Sequence, residues 1–176
     1  MSKIANRIIQ IPEKVKINLG KGEISAEGPL GKEKMSIPPN LEIIQQKNEL
    51  TIKSTNSALA GTYNSHTHNL IKGVAEGHEI IIEIKGVGYN VSLEGEKLKL
   101  SLGKSHPDYM VIPPELEVKV EGNKVTLRGK DKQKVTSFAA VVRHLRLPSI
   151  YKKDKGIYYL NEAETMKLKE KKSLNK

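Results

Sequence analysis

"MSIPPNLEIIQQKNELTIK" (Met35–Lys53) and "MVIPPELEVKVEGNKVTLR" (Met110–Arg128) are the two stretches on which the fold turns. They align at an offset of 75 residues and need no gap. The offset pairs Ile37-Pro38-Pro39 with Ile112-Pro113-Pro114, Leu41-Glu42 with Leu116-Glu117, Asn48 with Asn123 and Thr51 with Thr126. Extended from Gly28 (opposite Gly103) to Leu70 (opposite Leu145), it holds ten identities in 43 positions and sets Tyr63 against Phe138. A register kept through strand, turn and helix patterns alike marks a duplicated structural unit. Upstream of Gly28 the register slips by one residue, as a bulge would cause.

Each copy reads as the same succession of elements. "VKINL" and "NVSLE" alternate polar and apolar residues, and so do "GEISAEG" and "KLKLSLG", the pattern of half-buried strands. The Pro-Pro pairs cannot donate ladder hydrogen bonds and mark a strand edge or entry. The quoted stretches themselves predict hairpins turning at Lys47-Asn48 and Gly122-Asn123. A helix follows each. Leu59, Tyr63, His66 and Leu70 form the expected apolar stripe of the first; Val135, Phe138, Val142 and Leu145 form that of the second. Pro148 stops the second helix and "GVAEG" the first. The expected fold is therefore α+β: two similar tandem domains, each an antiparallel sheet with one helix on one face. Their expected spans are 1–77 and 78–160, and 161–176 follows as a charged tail, helical or disordered.

The composition narrows the function. The chain has 176 residues, 37% of them hydrophobic but only 4% aromatic, and no cysteine. An Ile/Leu/Val core is expected, without disulfides or thiolate metal sites. No apolar run reaches the ~20 residues of a membrane span, and the N-terminus has neither a secretory signal's apolar stretch nor a transit peptide's character. The net charge is +10, and it is segregated: residues 1–127 carry a net +1 and residues 128–176 a net +9. A surface that is merely soluble has no reason to divide its charge in this way. The excess points to an anionic partner, usually nucleic acid or an acidic membrane surface.

Catalytic and cofactor motifs fail on inspection. "GVGY" (Gly86–Tyr89) lacks the third glycine and following helix of a dinucleotide site and reads as a bulge or close backbone approach. "SLGKSHP" lacks the upstream glycine of a phosphate loop. His66 and His68, two apart on a helix, point to different faces and suit no shared metal. His106 and Asp108 have no nucleophile to serve. No enzyme activity and no cofactor are expected.

The basic segment carries the signal. Lys130 precedes the second helix; Lys132, Arg143 and Arg146 lie off its apolar stripe. "LPSIYKKDKGIYYL" (Leu147–Leu160) then interleaves Lys152, Lys153 and Lys155 with Tyr151, Tyr158 and Tyr159. Lysines neutralise phosphates, tyrosines stack on unpaired bases or contact riboses, and Gly156 lets a backbone amide approach a phosphate. These eleven residues are the candidate RNA-binding set.

Three motifs in one order, "IKGVGYNVSLEGEKLKLSLGKSHP", "GKDKQKV" and "PSIYKKDKGIYY", together with the opening "MSKIANRIIQIPEKVKI", resemble the bacterial-type large-subunit ribosomal protein L six family over nearly the whole chain. The last motif fits the family's Pro-x-x-Tyr-Lys-small-Lys-Gly-aliphatic pattern at Pro148, Tyr151, Lys152, Lys155, Gly156 and Ile157, with Lys153-Asp154 in a gap one residue longer than usual. The resemblance implies a structural constituent of the cytoplasmic ribosome. It would bind large-subunit rRNA mainly through its second domain, near the sarcin–ricin loop and elongation-factor site. Neighbouring proteins would lie near the stalk base, with no membrane contact and no homo-oligomer. The alternatives are a nucleic-acid-binding module acting off the ribosome, a hydrolase built on His106 and Asp108, and a peripheral membrane protein. The last lacks an amphipathic helix with bulky apolar anchors.

Overall fold

The computed structural model describes residues 7–20, 22–149, 151 and 155–167. The chain forms two compact units. One runs to His78 and takes in Lys130–Lys132; the other holds Glu79–Gly129 and continues from Gln133.

Among the described residues the first unit has six strands and one helix: β1 (Ile9–Gln10), β2 (Lys16–Gly20), β3 (Glu23–Gly28), β4 (Gly31–Ser36), β5 (Leu41–Gln46), β6 (Glu49–Ser54) and α1 (Ser57–Ala75). They form two antiparallel sheets of order β1-β6-β5 and β2-β3-β4. The second unit repeats the plan with β7 (His78–Lys85), β8 (Asn90–Glu94), β9 (Lys97–Ser101), β10 (Asp108–Val111), β11 (Leu116–Glu121), β12 (Lys124–Gly129) and α2 (Lys132–His144). Its sheets are β10-β9-β8 and β11-β12-β7-β13, where β13 (Gly156–Tyr159) is an added edge strand. Each unit thus splits its strands between two small sheets where one was expected.

The alternation read from the sequence is the burial pattern seen. Ile24 and Ala26 on β3, Leu50 and Ile52 on β6, Leu98 and Leu100 on β9, and Val125 and Leu127 on β12 all point inward. Both Pro-Pro pairs lie between strands, and in each copy the next strand's Leu N–H donates to the first proline's carbonyl: Leu41 to Pro38 at 3.3 Å and Leu116 to Pro113 at 3.0 Å.

The slip of register has a physical location. Ile24 pairs with Met35 and Leu98 with Met110, so the second copy has one more residue between β9 and β10. A second extra residue enters upstream. The Ile11 N–H donates to the Asn48 carbonyl at 2.7 Å, and the equivalent Ile84 N–H to Asn123 at 2.8 Å. The added residue falls in "GVGY", which is the turn from β7 to β8. Gly86 has φ +157°, and a Cβ there would lie 2.5 Å from the ring of its own neighbour Tyr89. The glycine makes room for a buried aromatic ring, as expected of a close approach.

Helix α1 corrects the expected stripe. Its N-cap Asn56 accepts from Ala58 N–H at 3.0 Å. The inward positions are Ala60, Asn64, Thr67, Ile71 and Val74, one residue round from the Leu59–Tyr63–His66–Leu70 line. His66 is exposed and meets the Tyr63 ring edge-on at 6.2 Å. The longer side chains at 59, 63 and 70 are only half-buried at the rim, because the small residues are the ones that let the helix approach the sheets. In α2, Val135, Phe138 and Val142 are buried as expected, and Ala139 is buried with them; Leu145 lies just past the helix and packs on the same core.

Candidate nucleic-acid interface

Helix α2 unwinds at Leu145 and Arg146, whose N–H groups reach Val142 O at 3.2 Å and Arg143 O at 3.3 Å. Pro148 forbids a further turn. The chain then reverses and returns as β13, antiparallel to β7, with Ile157 opposite Ile84 and Tyr159 opposite Ile82. The loop between is closed at its neck. Ser149 N–H donates to Lys155 O at 3.0 Å and Ile157 N–H to Arg146 O at 2.9 Å. Gly156 sits at φ +133°, and a Cβ on it would be 2.6 Å from Pro148 Cα and 2.9 Å from Leu147 O. Only glycine allows the two arms to touch there. Beside the neck Tyr151 is 54% exposed, with its N–H 3.4 Å from Ser149 Oγ, and Lys155 is exposed as well.

The eleven candidate residues divide. Tyr151, Lys155 and Arg146 are exposed on or beside the loop. Lys152 and Lys153, with Asp154, lie outside the described residues. Tyr158 is corrected outright: it has no exposed surface, and its hydroxyl donates to Lys155 O at 3.1 Å. A ring buried in this way cannot stack on a base. Gly156 is explained by packing on Pro148, and it is itself buried. Tyr159 is half-buried beneath the Arg143 guanidinium, 5.2 Å from its ring centroid. Arg143 is committed as well, since it pairs with Glu162 Oε1 at 2.5 Å while Glu162 Oε2 accepts from Tyr159 N–H at 2.8 Å. Glu162 opens α3 (Glu162–Thr165), a single turn that folds the start of the expected tail back onto the unit. Lys130 and Lys132 group with the first unit, where Lys132 Nζ meets Asn69 Oδ1 at 3.4 Å.

The second half of "LPSIYKKDKGIYYL" is therefore a structural strand. The cue was the run Gly-Ile-Tyr-Tyr itself: β-formers after a glycine, four residues of strand composition. Its amphipathic neighbours drew attention to charge instead.

A family model described as Ribosomal protein L6 matches residues 85–159, from the last residue of β7 to the last of β13. The chain is 40% identical over 171 residues to the large ribosomal subunit protein uL6 of Aquifex pyrophilus, covering 92% of this chain and 91% of that one. It is 37% identical over 182 residues to uL6 of Persephonella marina, covering both chains fully, and 42% identical over 175 residues to uL6 of Mycoplasma pneumoniae, covering 93% of each. The chain belongs to the ribosomal protein L6 family.

For an L6-family chain, a non-catalytic scaffold is the expected character. Among the described residues there is no group of three His, Cys, Asp or Glu that could hold a metal, and no helix is long and apolar enough to cross a membrane. The L6 match spans the loop neck and its clamp, so this clamped geometry lies in the part of the chain that the family shares.

One basic cluster escaped the sequence reading because its members are far apart in the chain. Arg7, His68 and Lys72 meet in the first unit. His68 is held below its ordinary value of 6.5, first by burial and then by the nearby charges of Arg7, Lys72, Lys132 and His78. Lys72 follows His68 by four residues, one helical turn, and that spacing was the available cue.

Proposed function

We propose that this protein is a structural component of the large ribosomal subunit and binds its rRNA mainly through the loop joining α2 to β13. The single observation that supports this best is the clamped neck. Two hydrogen bonds, Ser149 N–H to Lys155 O and Ile157 N–H to Arg146 O, and the packing of Gly156 on Pro148 close the neck, beside which Tyr151 and Lys155 are exposed. A neck that is already closed spends less ordering entropy on binding. Lys152, Lys153 and Lys155 would neutralise phosphates, Tyr151 would stack on an unpaired base or ribose, and Arg146 would flank them. The relatives are named large ribosomal subunit proteins. The family resemblance favours a contact near the sarcin–ricin loop and elongation-factor site, with neighbouring proteins at the stalk base. We read 1–77 and 78–160 as the two domains, with rRNA binding centred on the second.

The test is replacement of Lys152, Lys153 and Lys155 by Ala in the full chain. Sedimentation with large subunits and affinity for a large-subunit rRNA transcript should both fall. The slope of log affinity against log salt should flatten by about 0.7–0.9 for each lysine that touches a phosphate. Unchanged affinity and slope would refute the assignment. Deleting residues 148–176 is a poor substitute, because it removes β13 and its buried Ile157 and Tyr158.

A further inference from the structure

We propose that the first unit carries an RNA phosphate-binding site of its own, made by Arg7, His68 and Lys72 around a cleft beside α1, and that protonation of His68 strengthens the contact. The site rests on the reading of the protein as an rRNA-binding component and adds a second point of attachment to it.

The site is built, not incidental. Asn64, 1% exposed on α1, donates from Nδ2 to the Arg7 carbonyl at 2.7 Å and so fixes the strand entry against the helix. The cleft that results has a volume of about 320 Å³ and is lined by Arg7, Ile8, Ile9, Gln10, Glu49 and His68. Lys72 stands one turn beyond His68 on the same side of α1. Asn69, between them, accepts at its side-chain oxygen from Lys132 Nζ at 3.4 Å and at its carbonyl faces His78 Nε2 at 2.9 Å.

The charges facing His68 are thus Arg7, Lys72, Lys132 and His78, with Glu49 the acid lining the same cleft. Arg7 and Lys72 have no ion-pair partner among the described residues. Cations brought this close repel one another, and the arrangement is relieved when an anion enters.

The histidine makes the contact responsive to pH. In the free protein, burial and the surrounding cations keep His68 neutral at pH values where an ordinary imidazole is protonated. A bound phosphate opposes those cations and raises its affinity for a proton. Binding then takes up a proton, and affinity for RNA rises as pH falls through the bound-state value toward the free-state one. The ceiling for one group is about tenfold per pH unit.

The experiment uses the full chain, a large-subunit rRNA transcript and fixed ionic strength, between about pH 7.5 and 5.5. The parent should bind several-fold tighter at the lower pH. Arg7→Ala combined with Lys72→Ala should weaken binding and flatten the salt slope by about 0.7–0.9 for each phosphate that is no longer neutralised. His68→Gln should keep the binding at high pH and lose its pH response, while His66→Gln, exposed on the same helix, should change neither. Lys72→Gln alone touches only an exposed side chain and guards against misfolding of the double variant. The proposal is overturned if the double variant and Lys72→Gln match the parent in affinity and slope, or if His68→Gln retains the pH response. It is also overturned if the same residues matter for phosphatidylserine vesicles and not for RNA. If the loop-lysine variant weakens binding and these do not, this site alone fails. If the loop-lysine variant has no effect, the assignment to the second unit fails independently.

Discussion

Replacing Tyr158 and Tyr151 by Ala, one at a time, separates folding from recognition in a segment where sequence treats the two alike. Tyr158 is fully buried, and Lys85 Nζ lies 5.8 Å from its ring centroid. An aromatic side chain of this kind buries about 150–250 Å², worth about 4–6 kcal/mol at 25 cal/mol/Å². Aromatic-to-Ala substitutions in cores cost about 3–5 kcal/mol. The hydroxyl's bond to Lys155 O adds about 1 kcal/mol, which Tyr158→Phe would isolate. Against a domain stability of about 5–15 kcal/mol, Tyr158→Ala should leave the second unit marginal. Tyr151→Ala, at an exposed loop tip, should change stability by no more than about 0.5 kcal/mol. It should instead lower affinity for an rRNA transcript by about 1–3 kcal/mol if the ring stacks on a base. Urea unfolding followed by amide exchange at Ile82 and Ile84, on β7 beside β13, reads the stability of the second unit directly. The reasoning is refuted if Tyr158→Ala unfolds with the parent while binding RNA more weakly, or if Tyr151→Ala destabilises the strands.

Three further outcomes follow from the structure. Gly156→Ala must place a Cβ 2.6 Å from Pro148 Cα at φ +133°, and should cost about 1–3 kcal/mol and loosen the loop neck, visible as faster amide exchange at Ser149 and Ile157. Glu162→Gln removes the negative partner of Arg143, whose Nε has no hydrogen-bond partner among the described residues; with both side chains about a quarter exposed, a loss of about 1–2 kcal/mol in the second unit is expected in a thermal melt. His68 has a folded pKa below its unfolded one, so the unfolded chain takes up the proton first. Stability of the first unit should be fullest above about pH 6.5 and decline as pH falls from there toward the folded-state value. His68→Gln should remove that part of the decline, measured by denaturation at stepped pH.

Where periodicity was strict, the chain was legible. Strands such as β3, β6, β9 and β12 bury every second residue, and a period of two survives any global arrangement. The duplication was visible for the same reason, since each unit must close its own core with the same pattern. The first helix misled because its stripe was read by bulk. The offset of 75 carries Val135 and Val142 onto Ala60 and Thr67, which are buried, and not onto Leu59 and His66. The repeat held the right answer where hydrophobicity alone did not. Close helix–sheet packing selects small residues, and smallness is not a hydrophobic signal.

The basic loop divides in the same way. Charge segregation and the lysine–tyrosine run are one-dimensional properties, and they mark the region of interest without any structure. Which tyrosine faces water is not such a property. Tyr151 and Tyr158 share a composition and differ only in that one stands at a loop tip while the other lies in a strand paired to β7 seventy-odd residues earlier. The Arg143–Glu162 pair and the gathering of Arg7 with His68 and Lys72 are likewise products of chain segments distant in sequence. Local pattern decides which elements form and roughly which faces they bury. Long-range pairing decides which polar groups are spent inside the fold and which remain available to bind.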